Sequence, residues 1–312
     1  MKTQITDSVL MIRPASFRMN EETAVNNYFQ RKTEDLHSAT NYKAQQEFDA
    51  FVNLLKSKNI NVIVVEDDPK LDTPDALFPN NWISFHQDGR TALYPMFAEN
   101  RRRERREEVL LQLEEKGFKI ETIVDYTSAE DEDLFLEGTG SLILDRVHRK
   151  AYCAISPRAE EELVIEFCED FEFTPVIFDA HQTVGEKRLP IYHTNVMMCI
   201  AENFAVICLD CIDDKKQRKL VANSLKKDGK QIIDISEDQM HQFAGNMLQV
   251  KSSTTDETFL VMSKTALDAL NPNQITEIEK HTQILSADLN TIEVNGGGSA
   301  RCMLAEVFLP KK

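Results

Sequence analysis

The chain has 312 residues, enough for one large domain or two ordinary ones, and its 42% apolar content, with 17 Phe and one Trp, can build a core. A formal net charge of −16 argues against nucleic acid or an anionic membrane as the main partner, since both need clustered positive charge. No apolar signal core occupies residues 1–7 and no apolar run reaches membrane-spanning length, so a cytoplasmic location with six reduced cysteines is expected.

Residues 8–13 read as a strand, 42–57 as a helix and 61–65 as a second strand, with a polar stretch at 20–40 that is either a lid or a surface excursion. Residues 81–86 and 91–96 read as a hairpin around Gln87-Asp88-Gly89-Arg90, followed by a charged helix at 100–116 and a strand at 118–124. The same β-β-α-β order recurs from 141 to 178, from 196 to 235 and from 247 to 287. A fifth unit closes only across the termini, joining 302–309 to the strands and helix at 8–65. Unit starts near 81, 141, 196, 247 and 302 predict a five-bladed, pseudo-symmetric α/β propeller of ββαβ repeats, a single domain over 1–312.

The loops before the units would meet at one end of such a ring. They contain Asp75, Phe78, Asn80 and Asn81; Glu137 among glycines; His193 and Asn195; 243–246; and a loop opening at Asn295 with three consecutive glycines and then Cys302. Singly, Glu137 reads as a turn residue, His193 as a satisfied histidine and Cys302 as a buried structural thiol. At one register of a repeat they form a nucleophile, an acid/base and a carboxylate. Cys208 and Cys211 have redox-motif spacing but no second pair, and read as structural, as do Cys153, Cys168 and Cys199. Arg101 to Arg106 read as a solvated helix face, though the first arginines could approach a ligand.

With these motifs in this order, the chain resembles the pentein, or guanidino-group-modifying, superfamily over its whole length. It looks closest to the citrulline-utilisation hydrolases, through Phe78-Pro79-Asn80-Asn81-Trp82 and Arg13-Pro14-Ala15. The resemblance implies a metal- and cofactor-independent hydrolase of a small amino acid, with no nucleic-acid or membrane partner and a homo-oligomer left open. In that reading Cys302 attacks the guanidino or ureido carbon, and His193 protonates the leaving nitrogen and then activates water. Glu137 polarises the substrate nitrogens, Asp75 binds the α-amino group, Arg158 of Ser156-Pro157-Arg158 binds the carboxylate, and Phe78 and Asn80 line the site.

Arginine-acting members usually carry acidic residues where this chain has Asn81 and Asn195. Asparagine suits a neutral ureido group, which predicts citrulline as substrate and ornithine, ammonia and carbon dioxide as products. A neutral substrate cannot lower the Cys302 pKa, so a thiolate would need His193 or backbone N–H groups, with a bell-shaped pH profile. The alternatives are an arginine or methylarginine hydrolase, an amidinotransferase and a non-catalytic pentein-fold binding protein.

Overall fold

Each unit is built on a three-stranded mixed sheet, and five such sheets recur along the chain. The computed structural model describes residues 3–31, 33 and 36–312, so the expectations for 1–2 and for 32, 34 and 35 of the polar stretch lie outside the described residues. In the first sheet Ile83–Phe85 runs antiparallel to Arg90–Leu93, which runs parallel to Thr122–Asp125. The second joins Ile143–Asp145, Lys150–Ala154 and Thr174–Phe178 in the same order, and the third joins Met198–Ile200, Phe204–Ile207 and Gln231–Asp234. Leu248–Lys251, Thr258–Ser263 and Gln283–Ala287 form the fourth. In the fifth, Ala305–Glu306 pairs antiparallel with Ser8–Arg13, with Val9 opposite Glu306, and Ser8–Arg13 pairs in parallel with Asn61–Glu66.

The central strands of the sheets are short and apolar where both faces are covered. Residues Val9 to Ile12 and Phe204 to Ile207 are all buried, as expected where helices pack on one side and neighbouring sheets on the other. The helix His37–Ser57 turns Ala44, Phe48, Phe51 and Leu55 into a core that also holds Val9, Phe17 and Cys302. Asp214 caps Lys215–Lys227 by accepting from the N–H groups of Lys216 and Gln217 at 2.8 Å each. No helix among the described residues is long and apolar enough to cross a membrane.

Several local expectations are corrected. The charged helix expected at 100–116 is two helices, Glu99–Arg102 and Glu107–Glu115, on either side of the Arg103 to Arg106 run. The strand expected at 302–309 is only Ala305–Glu306, because Ala300–Met303 coils into a tight 3-10 turn. Asn295 and Gly296 are not loop residues: they end the helix Asn290–Gly296, and Gly297 closes it at φ +63°, a conformation open to glycine. The hairpin of His181–Val184 and Lys187–Pro190 was not anticipated; its residues are mostly polar and half-exposed or exposed.

Candidate functional site

Four of the five first strands are entered through a short helical turn: Pro79–Asn81, Gly138–Ser141, Thr194–Val196 and Ala300–Met303. Such turns leave their first residues free of regular pairing and aim their side chains inward. Glu137 and His193 stand immediately before two of these turns, and Asn81 and Cys302 lie within the other two. The cavity that results is lined by Asp75, Phe78, Asn81, Arg158, His193 and Cys302 of the expected residues, with Asn27, Arg101, Tyr192 and Gly296 to Gly298 added. Asn80 does not line it. Its amide is buried behind the wall without a hydrogen-bond partner, while its carbonyl accepts from Thr139 Oγ1 at 3.3 Å.

Glu137 is fully buried. Its Oε2 accepts from His193 Nε2 at 2.7 Å and from Arg158 Nη1 at 3.4 Å, and its Oε1 accepts from the Phe97 N–H at 3.1 Å. Burial would raise its pKa, but Arg158 and His193 outweigh it and hold the carboxyl well below the usual range, as an anion. His193 is pushed down to about 4 by burial, with Arg158 and Arg101 adding to that against the pull of Glu137. The resting pair is therefore a carboxylate accepting from a neutral imidazole protonated on Nε2. Gly140 permits this contact: a Cβ there would stand 2.3 Å from Asn81 Nδ2 and 3.0 Å from His193 Nδ1.

The Cys302 sulfur sits among side-chain amides, accepting from two and able to donate its S–H to Asn195 Oδ1 at 3.8 Å. Asn246 Nδ2 lies at 3.2 Å and Asn195 Nδ2 at 3.4 Å, and the Ser299 backbone N–H also favours the thiolate. Burial nonetheless raises the thiol pKa above its ordinary value. Among the described residues no hydrogen bond joins Cys302 to His193.

Arg101 is the main residue misread in the sequence. It is 2% exposed, not solvated. It donates to both oxygens of Glu104 at 2.9 Å, to Asn81 Oδ1 at 2.8 Å and to the Phe78 carbonyl at 3.2 Å, and it lies 3.9 Å from Glu137 Oε2. The alternative that the first arginines of the run approach a ligand fits the place of Arg101 in the cavity wall, and its spacing of three from Glu104 was a further signal. Asn246, in the loop before the fourth unit, was passed over for want of a charged or nucleophilic group.

The segment at 20–31 lies across the cavity. Asn20 Nδ2 donates to Asp75 Oδ2 at 2.8 Å and Thr23 Oγ1 contacts the same oxygen at 3.2 Å. Arg158 donates through Nε to Asn26 Oδ1 at 2.9 Å and through Nη2 to the Thr23 carbonyl at 2.9 Å, with its guanidinium 5.0 Å from the Tyr192 ring centroid. Beneath the segment the cavity has about 10 Å³ of room, that of a single water. Asp75 is buried and its pKa raised by that burial against the pull of Arg101.

Cys208 and Cys211 are buried free thiols 3.0 Å apart, and Cys153, Cys168 and Cys199 are buried as well. Asp145, His148 and Asp228 offer ligand atoms within 4.8 Å of one another. Lys150 Nζ stands 2.6 Å from Asp228 and Lys230 Nζ 3.6 Å from Asp145, so ammonium groups already neutralise that cluster.

The chain is similar to solved structures of one fold. ArgZ, an arginine dihydrolase from the ornithine-ammonia cycle in cyanobacteria, matches at 16% identity and TM-score 0.72 over 98% of this chain and 41% of that one. The N-terminal domain of ArgZ bound to substrate matches at 16% identity and TM-score 0.70, over 97% of this chain and 99% of the domain. AgrE in its ternary complex with ornithine and NAD+ matches at 20% identity and TM-score 0.74, over 98% of this chain and 40% of that one. This chain thus spans well under half of full-length ArgZ and AgrE. A dimethylarginine dimethylaminohydrolase adduct with S-methyl-L-thiocitrulline matches at 13% identity and TM-score 0.61, over 97% of this chain and 99% of that one. No curated protein sequence matches the chain. A sequence model of the family described as "N,N dimethylarginine dimethylhydrolase, eukaryotic" matches residues 13–309. The chain therefore belongs to that family, within the pentein superfamily of α/β folds.

Proposed function

We propose that the protein hydrolyses the ureido group of citrulline, as in the citrulline-utilisation subgroup, with Cys302, His193 and Glu137 as its catalytic residues. Cys302 Sγ attacks the ureido carbon while its proton passes to His193. The adduct collapses as the terminal nitrogen leaves as ammonia, protonated by His193, and a thiocarbamate remains on Cys302. His193 then deprotonates water, which breaks the C–S bond. The carbamate released decomposes to ornithine and carbon dioxide. Glu137 orients His193 and stabilises its protonated form.

One observation carries the choice of a neutral substrate: Arg101 stands at the cavity wall, bound to Asn81. Arg101 is itself paired with Glu104, but it occupies the Asn81 oxygen that a guanidinium would need, and neither Asn81 nor Asn195 supplies a carboxylate to pair with a cationic substrate. A ureido group carries no charge, and its carbonyl can accept from Asn81 Nδ2, a buried donor without a partner at the cavity wall. Asp75 and Arg158 bind the α-amino and α-carboxylate ends. Their present partners, Asn20, Thr23 and Asn26, must release them first, so residues 20–31 act as the lid of a single catalytic domain. The five sheets and the pairing of Ser8–Arg13 with Ala305–Glu306 support a ring closed around this site.

The family match favours a second reading, hydrolysis of a methylated arginine. Citrulline, arginine and dimethylarginine should be compared side by side, measuring ammonia, dimethylamine, ornithine and citrulline, with Cys302→Ala as control. Ornithine and ammonia from citrulline alone are expected. Dimethylamine from dimethylarginine at a higher kcat/KM would overturn the citrulline reading and keep the chemistry.

A further inference from the structure

The arginines of this chain are unequally served. Arg101 in the candidate active site finds a partner for nearly every N–H. Arg146, also buried at 5% exposure, does not. Its Nη1 makes one long contact of 3.5 Å to the Phe85 carbonyl, and its Nη2 has no hydrogen-bond partner. The carboxylate within ion-pair range, Glu306, is 3.7 Å away and already accepts from Arg301 Nη2 at 3.0 Å. A buried guanidinium left this way is costly, and native structures relieve that cost with water or a ligand.

Arg146 faces a cavity of about 250 Å³ that it shares with His86, Asp88, Arg149, Phe171 and Glu172. His86 and Arg146 directly follow the strands Ile83–Phe85 and Ile143–Asp145, whereas Asn81 and Glu137 precede them. The cavity thus lies at the opposite strand ends from the candidate active site. Three guanidiniums are held there against aromatic faces. Arg146 is 4.0 Å from the Phe308 ring centroid, Arg149 is 3.9 Å from that of Phe173 and Arg90 is 4.5 Å from that of Phe171. Stacking fixes the planes and leaves their N–H edges to point at a ligand. Arg90 is paired with Asp88 at 2.8 Å. Arg149 donates to the backbone carbonyls of Phe171 and Glu172 and to no carboxylate oxygen among the described residues. Asp88, Glu172 and Glu306 are the acids that face the group. Burial first, and then Arg146, Arg90 and Arg149, hold the His86 pKa well below its ordinary value, so the ring adds no charge but records the positive field. Of the charged residues that line the cavity, Arg146 and Arg149 are set against Asp88 and Glu172, and Arg146 Nη2 is left without a hydrogen-bond partner.

We propose that this cavity is a second binding site, in which Arg146 and Arg149 grip a small oxyanion, a phosphate or carboxylate group free in solution or carried on a metabolite. The planar fork of Arg146 matches two oxygens of such a group. The site is independent of the Cys302 chemistry.

Calorimetric titration of the intact protein with inorganic phosphate, and separately with acetate, tests this. Saturable binding of at least one ion to a single site is expected, weakened about tenfold or more in Arg146→Met and in Arg149→Gln and unchanged in Arg188→Gln, a control arginine elsewhere on the fold. If Arg146→Met fails to fold, Arg149→Gln, whose side chain is half-buried, decides alone. Absence of saturable binding of both ions, or an affinity unaltered by Arg149→Gln, would overturn the proposal and leave the cavity to water.

Discussion

Arg101 Nη1 donates to Asn81 Oδ1 at 2.8 Å, so the asparagine that stands in place of an acidic residue is the partner of a resident cation. Arg101 is already paired with Glu104, so replacing Asn81 by Asp would add a negative charge to the wall of the cavity. The kcat/KM ratio of arginine to citrulline should then rise about tenfold or more, equivalent to about 1.4 kcal/mol. Steady-state kinetics on both substrates checks this, and an unchanged ratio refutes the charge argument.

The two amides on Cys302 Sγ favour the thiolate over the thiol. Asn246→Ala should push the already raised thiol pKa further up, with alkylation at pH 8 slowed and kcat reduced about tenfold or more. KM should change little, since Asn246 does not line the cavity. A fall in kcat/KM confined to KM would contradict the assignment.

For the pH profile, the productive resting form has His193 neutral, to accept the thiol proton, and Cys302 as a thiol. Activity is lost as pH falls through the His193 pKa near 4 and as it rises through the raised pKa of Cys302. The kcat/KM of the free enzyme should be flat from about pH 5 to 8, a broader plateau than a thiolate–imidazolium pair would give. An acid limb centred between pH 6 and 7 would show a charged histidine at rest.

If Arg158 binds the substrate carboxylate as proposed, Asn26 competes with substrate for it. Asn26→Ala removes two hydrogen bonds to a charged group, each worth about 1.5–3 kcal/mol in general. Much of that is recovered by water, so KM should fall about threefold to tenfold with kcat little changed. A rise in KM would mean that Asn26 holds the substrate instead of excluding it.

The repeat was legible because each strand is short, apolar and bounded by turn residues, and because Lys215–Lys227 and Gln283–Ala287 carry plain helix and strand patterns. The register of that repeat pointed to Cys302, His193 and Glu137, and the family resemblance to Asp75 and Arg158, without any distance. Arg101 escaped because a run of arginines broken by Glu104 has the composition of a wet surface, and only tertiary packing buries it. The role of Asn26 was equally hidden, since a polar segment says nothing of what it covers. Cys302 lies in a 3-10 turn and not a strand because Arg301 and Asn246 tie that backbone down: the Arg301 N–H donates to Asn246 Oδ1 at 3.1 Å.

The pairing of Val9 with Glu306 links residues almost the whole sequence apart, whereas the other four sheets join residues within about 50 of one another. Closing so large a loop carries the greatest entropic cost of any strand pairing among the described residues, and the antiparallel seam is held by two residue pairs, with the bonds from the Val307 N–H to the Ser8 carbonyl and from Thr6 Oγ1 to the Val307 carbonyl beside them. Amide hydrogens of Ala305 and Glu306 should exchange ahead of those in the other sheets. Cys302 sits three residues before that seam. Mild denaturant would therefore silence the enzyme while most of its secondary structure persists, so that inactivation reports the opening of one seam and not the melting of the fold.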